Sequence, residues 1–260
     1  MQDLKAAAVD AAAMTPVLPN LSIVVPTYNE AANVPLLIAK LEDALAGHAW
    51  EIVFVDDDSA DDTSGAVARA GADKPYIRCI RRIGRRGLSS AVIEGALSCD
   101  SPYIAVMDAD LQHDERILPD MLRMLNRGDV DLAIGSRYVG GGGVGDWSRM
   151  RQGLSRLATA LSRLVVSAAL RDPMSGFFMM RRGAFHGALS HLSGRGYKIM
   201  LDLLASSPQP LRFVEVPYEF QPRLHGESKL SMRVLYEYAV MIFRKRLERA
   251  FASRARVPAA

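Results

Sequence analysis

Thiols are nearly absent: Cys79 and Cys99 are the only two in 260 residues. They form no metal-ligand spacing and no disulfide framework, so a reducing, cytoplasmic setting is expected. Long hydrophobic runs are also missing. No stretch of 18 or more uncharged apolar residues occurs, and no transmembrane helix is predicted. Residues 1–20 carry Asp3 and Asp10 in an Ala-rich stretch, without a basic start and an apolar core. They read as a flexible leader, not a signal peptide. Neither Gly-x-x-x-x-Gly-Lys nor His-Glu-x-x-His is present, which removes the common phosphate-loop and zinc-protease chemistries. His186, His191 and His225 have no metal spacing, and no Ser or Cys pairs with a His and an acid as an activated nucleophile. Aromatic residues make up 7% of the chain, too few for the stacking surfaces of a nucleic-acid module.

What is present is an ordinary globular composition, 49% apolar and 23% charged. The net charge of +3 hides an asymmetry. Arg223 to Arg256 holds nine Lys/Arg against three Asp/Glu, and Trp147 to Arg163 holds four Arg and no acid. Such a basic face points to an anionic partner: a membrane surface, nucleic acid or a phosphorylated substrate.

Short apolar runs alternate with helical periodicity. Strands are expected at Leu21–Val25, Glu51–Val55, Tyr76–Ile80, Tyr103–Met107 and Asp131–Gly135, with helices from Asn33, at Ser89–Ser98 and through Met121–Leu125. This β-α order predicts a parallel sheet with helices on both faces. Beyond the Gly140–Gly143 loop, the pattern predicts a helix at about 149–169 and a strand at Gly176–Arg181. A helix near 197–206, an edge strand Phe213–Phe220 and a long amphipathic helix Leu230–Phe251 follow. No long linker or repeat divides the chain, so one domain over residues 21–229 with an extension over 230–260 is expected.

Acids cluster at two strand ends. Asp56-Asp57-Asp58-Ser59 follows the second strand, and Asp108-x-Asp110-x-Gln112 follows the run Tyr103–Met107. In an α/β sheet the carboxyl ends of strands are where ligands bind. Aspartates two apart in an extended segment project to one side and can share one hard cation. The plain alternative is an acid-capped turn, with Asp110 or Asp114 starting the next helix. Pro26-Thr27-Tyr28-Asn29-Glu30 after the first strand reads either as a turn capped by Asn29 or Glu30, or as a cradle for a nucleobase and ribose. Asp57 reads as an acceptor for base N–H groups, beside helix N-capping by Ser59 and Asp61. His113 reads as a supporting or surface residue rather than a ligand.

Taken in order, Val-Pro-Thr-Tyr-Asn-Glu, Val-Asp-Asp-Asp-Ser and Met-Asp-Ala-Asp-Leu-Gln-His resemble the family 2 glycosyltransferases of the GT-A fold. Within these, the chain resembles most the dolichol-phosphate or polyprenol-phosphate mannose synthases, from about Ser22 to Lys229. The resemblance implies a Rossmann-like, mostly parallel α/β sheet flanked by helices, with a C-terminal amphipathic helical extension. It implies that Pro26, Tyr28, Glu30, Asp57 and Asp108 hold the nucleoside diphosphate, and that Asp108, Asp110 and Gln112 hold Mg²⁺ or Mn²⁺. Arg137, in Gly135-Ser136-Arg137-Tyr138, would face phosphates. Trp147, Arg151 and Ser155 fit a Trp-x-x-x-Arg-x-x-x-Ser pattern, in which Arg151 and Ser155 would grip a lipid phosphate. Asp172-Pro173-Met174-Ser175-Gly176-Phe177 would line the acceptor side, and Arg223 and Lys229 would close over the diphosphate. Catalysis is thus assigned to Asp110, Arg137, Arg223 and Lys229.

The implied reaction is inverting transfer of mannose from GDP-mannose to a polyprenyl monophosphate, at the cytoplasmic face of a membrane. A UDP-glucose donor would share every motif except those that read the base. A nucleotidyltransferase would carry a Gly-rich, Lys-containing loop where Pro26–Glu30 stands. A nucleic-acid-binding module would not explain acids at two strand ends, and no nucleic acid partner is expected. A membrane-embedded protein partner is left open, as is the choice between core packing and an interfacial role for Leu230–Phe251. Two departures stand out: Asp58-Ser59-Ala60-Asp61-Asp62 replaces the usual Asn-Ser-Pro-Asp-Gly, and Gly87-Leu88-Ser89 replaces Gly-Leu-Gly.

Overall fold

The computed structural model describes residues 18–143, 153, 158–166, 169–222 and 238–247. The elements are β1 (Leu21–Thr27), α1 (Val34–Ala44), β2 (Trp50–Asp56), α2 (Thr63–Ala70), β3 (Ile77–Arg81), α3 (Leu88–Leu97), β4 (Tyr103–Val106), α4 (Leu118–Asn126) and β5 (Leu132–Ser136). After these come β6 (Phe178–Arg181), α5 (Arg182–Leu189), α6 (Ile199–Ser206) and β7 (Phe213–Pro217). Residues 158–162 and 238–247 are also helical.

The seven strands form one sheet in the order β3-β2-β1-β4-β6-β5-β7. All neighbours are parallel except at β6, which runs antiparallel to both β4 and β5. The expectation of a mostly parallel sheet therefore holds, with β6 wedged between β4 and β5. Central strands buried on both faces read as continuous apolar runs, as β1 and β2 do. One core cluster lies under α1 and α4, led by Leu37, Leu41, Phe54 and Leu122. The opposite cluster packs α3, α5 and α6 through Val92, Phe185 and Leu203. Gly95 lets α3 close onto the sheet, since a Cβ there would meet Val24 Cγ1 at 2.5 Å.

Several elements differ from expectation. The strand foreseen at Gly176–Arg181 is confined to Phe178–Arg181, and α5 follows it without a break. Gly183 and Gly187 dilute the periodicity of α5, which buries only Phe185 and Ala188. The edge strand stops at Pro217, although a bridge between Gly143 and Glu219 continues the pairing. That bridge, with Gly143 N donating to Tyr218 O at 3.2 Å, ties down one end of the expected glycine loop. Of the predicted helix 149–169, residues 158–162 are described as helical before a turn. Of Leu230–Phe251, residues 238–247 are helical and pack inward through Tyr238, Ile242 and Lys245. Tyr238 Oη donates to Ala158 O at 2.6 Å, and buried Lys245 lies 3.2 Å from Asp202 while donating to His191 O and Ser206 Oγ. No helix among the described residues is long and apolar enough to cross a membrane.

Candidate active site

The strand order places the motifs together. The chain runs outward from β1 through β2 to β3, then returns to β4 on the other side of β1, which makes a switch point between β1 and β4. Because β5 and β7 are parallel to β4, their carboxyl ends lie on the same edge, and antiparallel β6 begins there. Residues after β1, β2, β3, β4, β5 and β7, and those before β6, therefore crowd one edge of the sheet.

On the β1–β2 side, two loops are stitched into one wall. Asn29 N donates to Ser59 Oγ (2.8 Å), Glu30 N to Thr63 Oγ1 (3.0 Å) and Ala31 N to Asp61 Oδ2 (3.0 Å), while Ala60 N donates to Asn29 Oδ1 (3.1 Å). Glu30 also accepts from Asn33 Nδ2 at 2.7 Å, so its carboxylate braces the loop. Asp58 and Asp62 have φ of 56° and 65°, left-handed positions that suit the Asn and Gly of the usual motif. Asp58 is held by both Arg81 Nε and Nη2, and Arg81 keeps its carboxyl below the usual range. Asp62 has only an exposed contact with Arg69, of small worth. Asp62→Gly should therefore raise stability by about 0.5–1 kcal/mol. An unchanged or lower denaturant midpoint would contradict that assignment of strain.

Asp57 turns into the edge and is buried. Its Oδ2 accepts from Gly87 N at 2.6 Å, while Oδ1 has no hydrogen-bond partner among the described residues. Arg82, only 2% exposed, places Nε 3.1 Å from that Oδ1 in an orientation that makes no hydrogen bond. Burial raises the Asp57 pKa, opposed by Gly87 N and Arg82. Nearby, the Arg86 guanidinium stacks 4.3 Å over the Tyr28 ring. Sequence reasoning did not single out Arg82, although the basic run Arg81-Arg82-Ile83-Gly84-Arg85-Arg86 after β3 was a visible signal. Ser89, at the second departure, donates to Gly196 O through both Oγ (2.8 Å) and N (3.2 Å), and a glycine would keep only the second bond.

Asp108 and Asp110 do not lie in an extended strand, as expected from their spacing. β4 ends at Val106, and the acids occupy a bend in which Leu111 takes φ 61°. A leucine in that region is strained and needs surrounding structure to hold it. Gln112 supplies this. Its N donates to Asp110 Oδ1 (3.2 Å), its Nε2 to Gln221 O (3.0 Å), and its O accepts from Gln221 N (2.9 Å). The side-chain amide nitrogen is thus committed to Gln221 O. The capping alternative holds for Asp114, which accepts from Arg116 N, rather than for Asp110. Gly176 passes close by, where a Cβ would sit 3.2 Å from Asp108 Oδ2.

His113 supports the bend from beneath. Its Nδ1 accepts from Asp108 N at 3.2 Å, which leaves the proton on Nε2, 4.0 Å from Asp108 Oδ2. The ring stacks on Phe177 at 5.1 Å, with Tyr218 and Phe220 edge-on. Burial depresses its pKa from 6.5 to about 4, so the imidazole is neutral. The unfolded chain takes up that proton first. Stability should be fully present above pH 6.5 and fall by roughly 2–3 kcal/mol as pH drops toward 4. His113→Phe should flatten this slope in urea titrations at about neutral pH and about pH 4 without added divalent cation; an unchanged slope would assign the titration elsewhere.

Across the edge, Arg137 is gripped by Asp172: Nε to Oδ2 at 2.8 Å, Nη2 to Oδ1 at 2.7 Å and its backbone N to Oδ2 at 3.1 Å. Burial would lower the arginine's pKa, but Asp172 more than offsets this and keeps it charged. Asp172 N and Arg171 N in turn donate to Glu215. Ser175 Oγ donates to Gly135 O (2.7 Å), and Lys198 Nζ donates to Met174 O (3.1 Å), fixing the rest of this loop. Lys198 and Glu215 were not foreseen. Arg151, Ser155, Arg223 and Lys229, with Trp147, lie outside the described residues.

Asp108, Asp110 and Gln112 carry oxygen atoms of the hard kind that Mg²⁺ and Mn²⁺ take. Among the described residues no group of three or more His, Cys, Asp or Glu could hold a metal ion.

A switch-point sheet with acids at its ligand edge, interrupted by one antiparallel strand, is the architecture of GT-A glycosyltransferases. The chain matches the glycosyl transferase family 2 across residues 22–188 and belongs to that family; it is a glycosyltransferase. A dolichol-phosphate mannosyltransferase of Pyrococcus furiosus is 38% identical over 226 residues, covering 86% of this chain; the match spans 63% of that relative's length. A polyprenol monophosphomannose synthase of Mycolicibacterium smegmatis is 34% identical over 239 residues, covering 88% of this chain and 89% of its own. Two solved structures share the fold. Glucosyl-3-phosphoglycerate synthase of Mycobacterium tuberculosis, with Mn²⁺ and UDP, aligns with a TM-score of 0.66 at 18% identity, over 93% of this chain and 81% of that one. A mannosyltransferase of Pyrobaculum calidifontis, with GDP-Man and Mn²⁺, aligns with a TM-score of 0.58 at 16% identity, over 94% and 77%.

Proposed function

We propose that this glycosyltransferase transfers mannose from GDP-mannose to a polyprenyl monophosphate, with inversion at the anomeric carbon. The observation that carries the reading is the match to dolichol-phosphate and polyprenol-phosphate mannose synthases over 84–88% of the chain. The site's chemistry agrees with it. Pro26, Tyr28, Glu30 and Asp57 cradle the nucleoside, with Asp57, ion-paired to Arg82 through Oδ1, as the acceptor for a base N–H. Asp108, Asp110 and Gln112 hold Mg²⁺ or Mn²⁺, which when bound neutralises charge on the departing diphosphate. Arg223 and Lys229 close over that diphosphate, and Arg151 and Ser155 grip the acceptor phosphate, as their motifs imply.

A phosphate monoester is already ionised near neutral pH, so attack needs no strong general base. No activated base stands in the described site: His113 is engaged by Asp108 N and neutral. The protein's work is then positioning and charge placement, with Arg137 on the acceptor side of the acids. A lipid acceptor places the enzyme at a membrane surface. Helix 238–247 suits one, because Val240, Phe243 and Leu247 form an exposed outward stripe with Arg244 close beside it.

The test is incubation with Mg²⁺ or Mn²⁺, a short polyprenyl phosphate and a panel of nucleotide sugars, followed by identification of the lipid product. Transfer from GDP-mannose alone is the expected result. Preference for a UDP-sugar would replace the donor, and no lipid product from any donor would reject the acceptor.

A further inference from the structure

We infer that the Tyr218 hydroxyl donates a hydrogen bond to a phosphoryl oxygen of the acceptor phosphate, making Tyr218 a substrate-binding residue. The inference rests on the reaction proposed above. It starts from a deficit: Tyr218 is 2% exposed, yet its hydroxyl has no hydrogen-bond partner among the described residues. Buried polar groups in native structures are almost always satisfied, and an exception calls for an explanation such as a ligand. Phenylalanine would offer the same ring to the same neighbours without leaving a hydroxyl unmet.

The ring has little freedom to seek a partner within the fold. Tyr218 N donates to Ser136 O (3.1 Å) and its O accepts from Gly143 N (3.2 Å), pinning the backbone on both sides. The ring meets His113 and Phe177 edge-on at 5.8 and 5.7 Å. The charged groups around it are Arg137, Asp172, Asp108 and Asp110. Arg137 and Asp172 are committed to each other, and His113 Nδ1 to Asp108 N. Burial also raises the phenol's pKa well above its ordinary range, so it remains a donor at working pH.

Topology selects which ligand oxygen it meets. Tyr218 follows β7, the neighbour of β5, so it stands beside Ser136-Arg137 and across β6 and β4 from the loops that follow β1, β2 and β3. Asp172, whose motif implies the acceptor side, grips Arg137 here, so an acceptor phosphate reaching Arg137 brings ionised oxygens to Tyr218. A phenol donor beside a guanidinium complements such an anion.

Tyr218→Phe in the full-length chain is the test. The ligand-free variant should be at least as stable as the wild type in thermal melts, because a buried unmet hydroxyl is removed. Its KM for a short polyprenyl phosphate should rise roughly 10- to 100-fold, the worth of a hydrogen bond to a charged group. GDP affinity, read by fluorescence titration, should change less than about 2-fold. Unchanged acceptor KM would overturn the inference and mark the hydroxyl as a structural oddity, leaving the proposed reaction intact. Equal losses for acceptor and GDP would also overturn it, by assigning the hydroxyl to the donor side. If Phe disturbs the packing, loss of polyprenyl phosphate binding by Tyr218→Phe with binding of the unphosphorylated polyprenol retained supports the inference. Equal loss of both lipids by that variant rejects it. A wild type with no affinity for polyprenyl phosphate would reject the proposed reaction and this inference together.

Discussion

Asp110→Asn should leave the fold intact and lower metal-dependent transfer by roughly 10²–10³-fold. The side chain is buried and its Oδ1 accepts from Gln112 N at 3.2 Å. Asparagine keeps that acceptor and the volume, so Leu111 stays in its left-handed conformation. What is lost is one negative charge from the pair that would hold the cation. Asp108→Asn removes the other charge from a more exposed position and should behave alike. Mn²⁺ binding followed by the signal of the free ion, with transfer assayed in parallel, gives the check. Full metal-dependent transfer in either variant would remove these carboxylates from the metal site.

Asp172→Asn carries the second large effect, this time on stability as well. Asp172 is fully buried and is the only carboxylate that a described contact places on Arg137. Neutralising it removes the carboxylate that grips this buried guanidinium from two sides, at a cost of about 3–5 kcal/mol. For a chain of this size that is a melting-point fall of roughly 6–20 °C. Arg137→Lys keeps a charge but loses the two-pronged contact, and should lie between wild type and Asp172→Asn. The double variant Arg137→Met with Asp172→Leu should recover much of the stability without recovering transfer, since a buried pair can be replaced by apolar packing. If Asp172→Asn melts within about 2 °C of the wild type, the clamp does not hold this side of the edge together.

The parts legible in the sequence are those set by local pattern. β1, β2 and β4 are buried on both faces, so their apolar runs announced them, and the acids that end them pointed to the ligand edge. The direction of β6 was not legible, because Phe178–Arg181 reads the same in a parallel or antiparallel neighbour. α5 escaped because its glycines break the apolar spacing and it follows β6 without a turn. The motif residues Tyr28, Asp57, Asp108, Asp110, Gln112 and Arg137 do gather at one edge of the sheet. Their partners are another matter. Arg82 beside Asp57, Glu215 behind Asp172 and Tyr218 beside Arg137 arise from residues far apart in sequence, and only the folded chain shows them.

The antiparallel wedge β6 also bears on how the chain is made. β1 to β4 pair with neighbours already synthesised, and contacts between β1 and β2 span only 29 residues. β5 emerges next but has no place to go: its partners are β6 and β7, and β6 alone connects it to β4. Until Phe178–Arg181 leaves the ribosome, β4 presents an open edge just before the Asp108 bend. Open edges recruit stray strands. The half of the sheet made by β6, β5 and β7 is thus the part most exposed to misassembly during synthesis, and a single four-residue strand seals it.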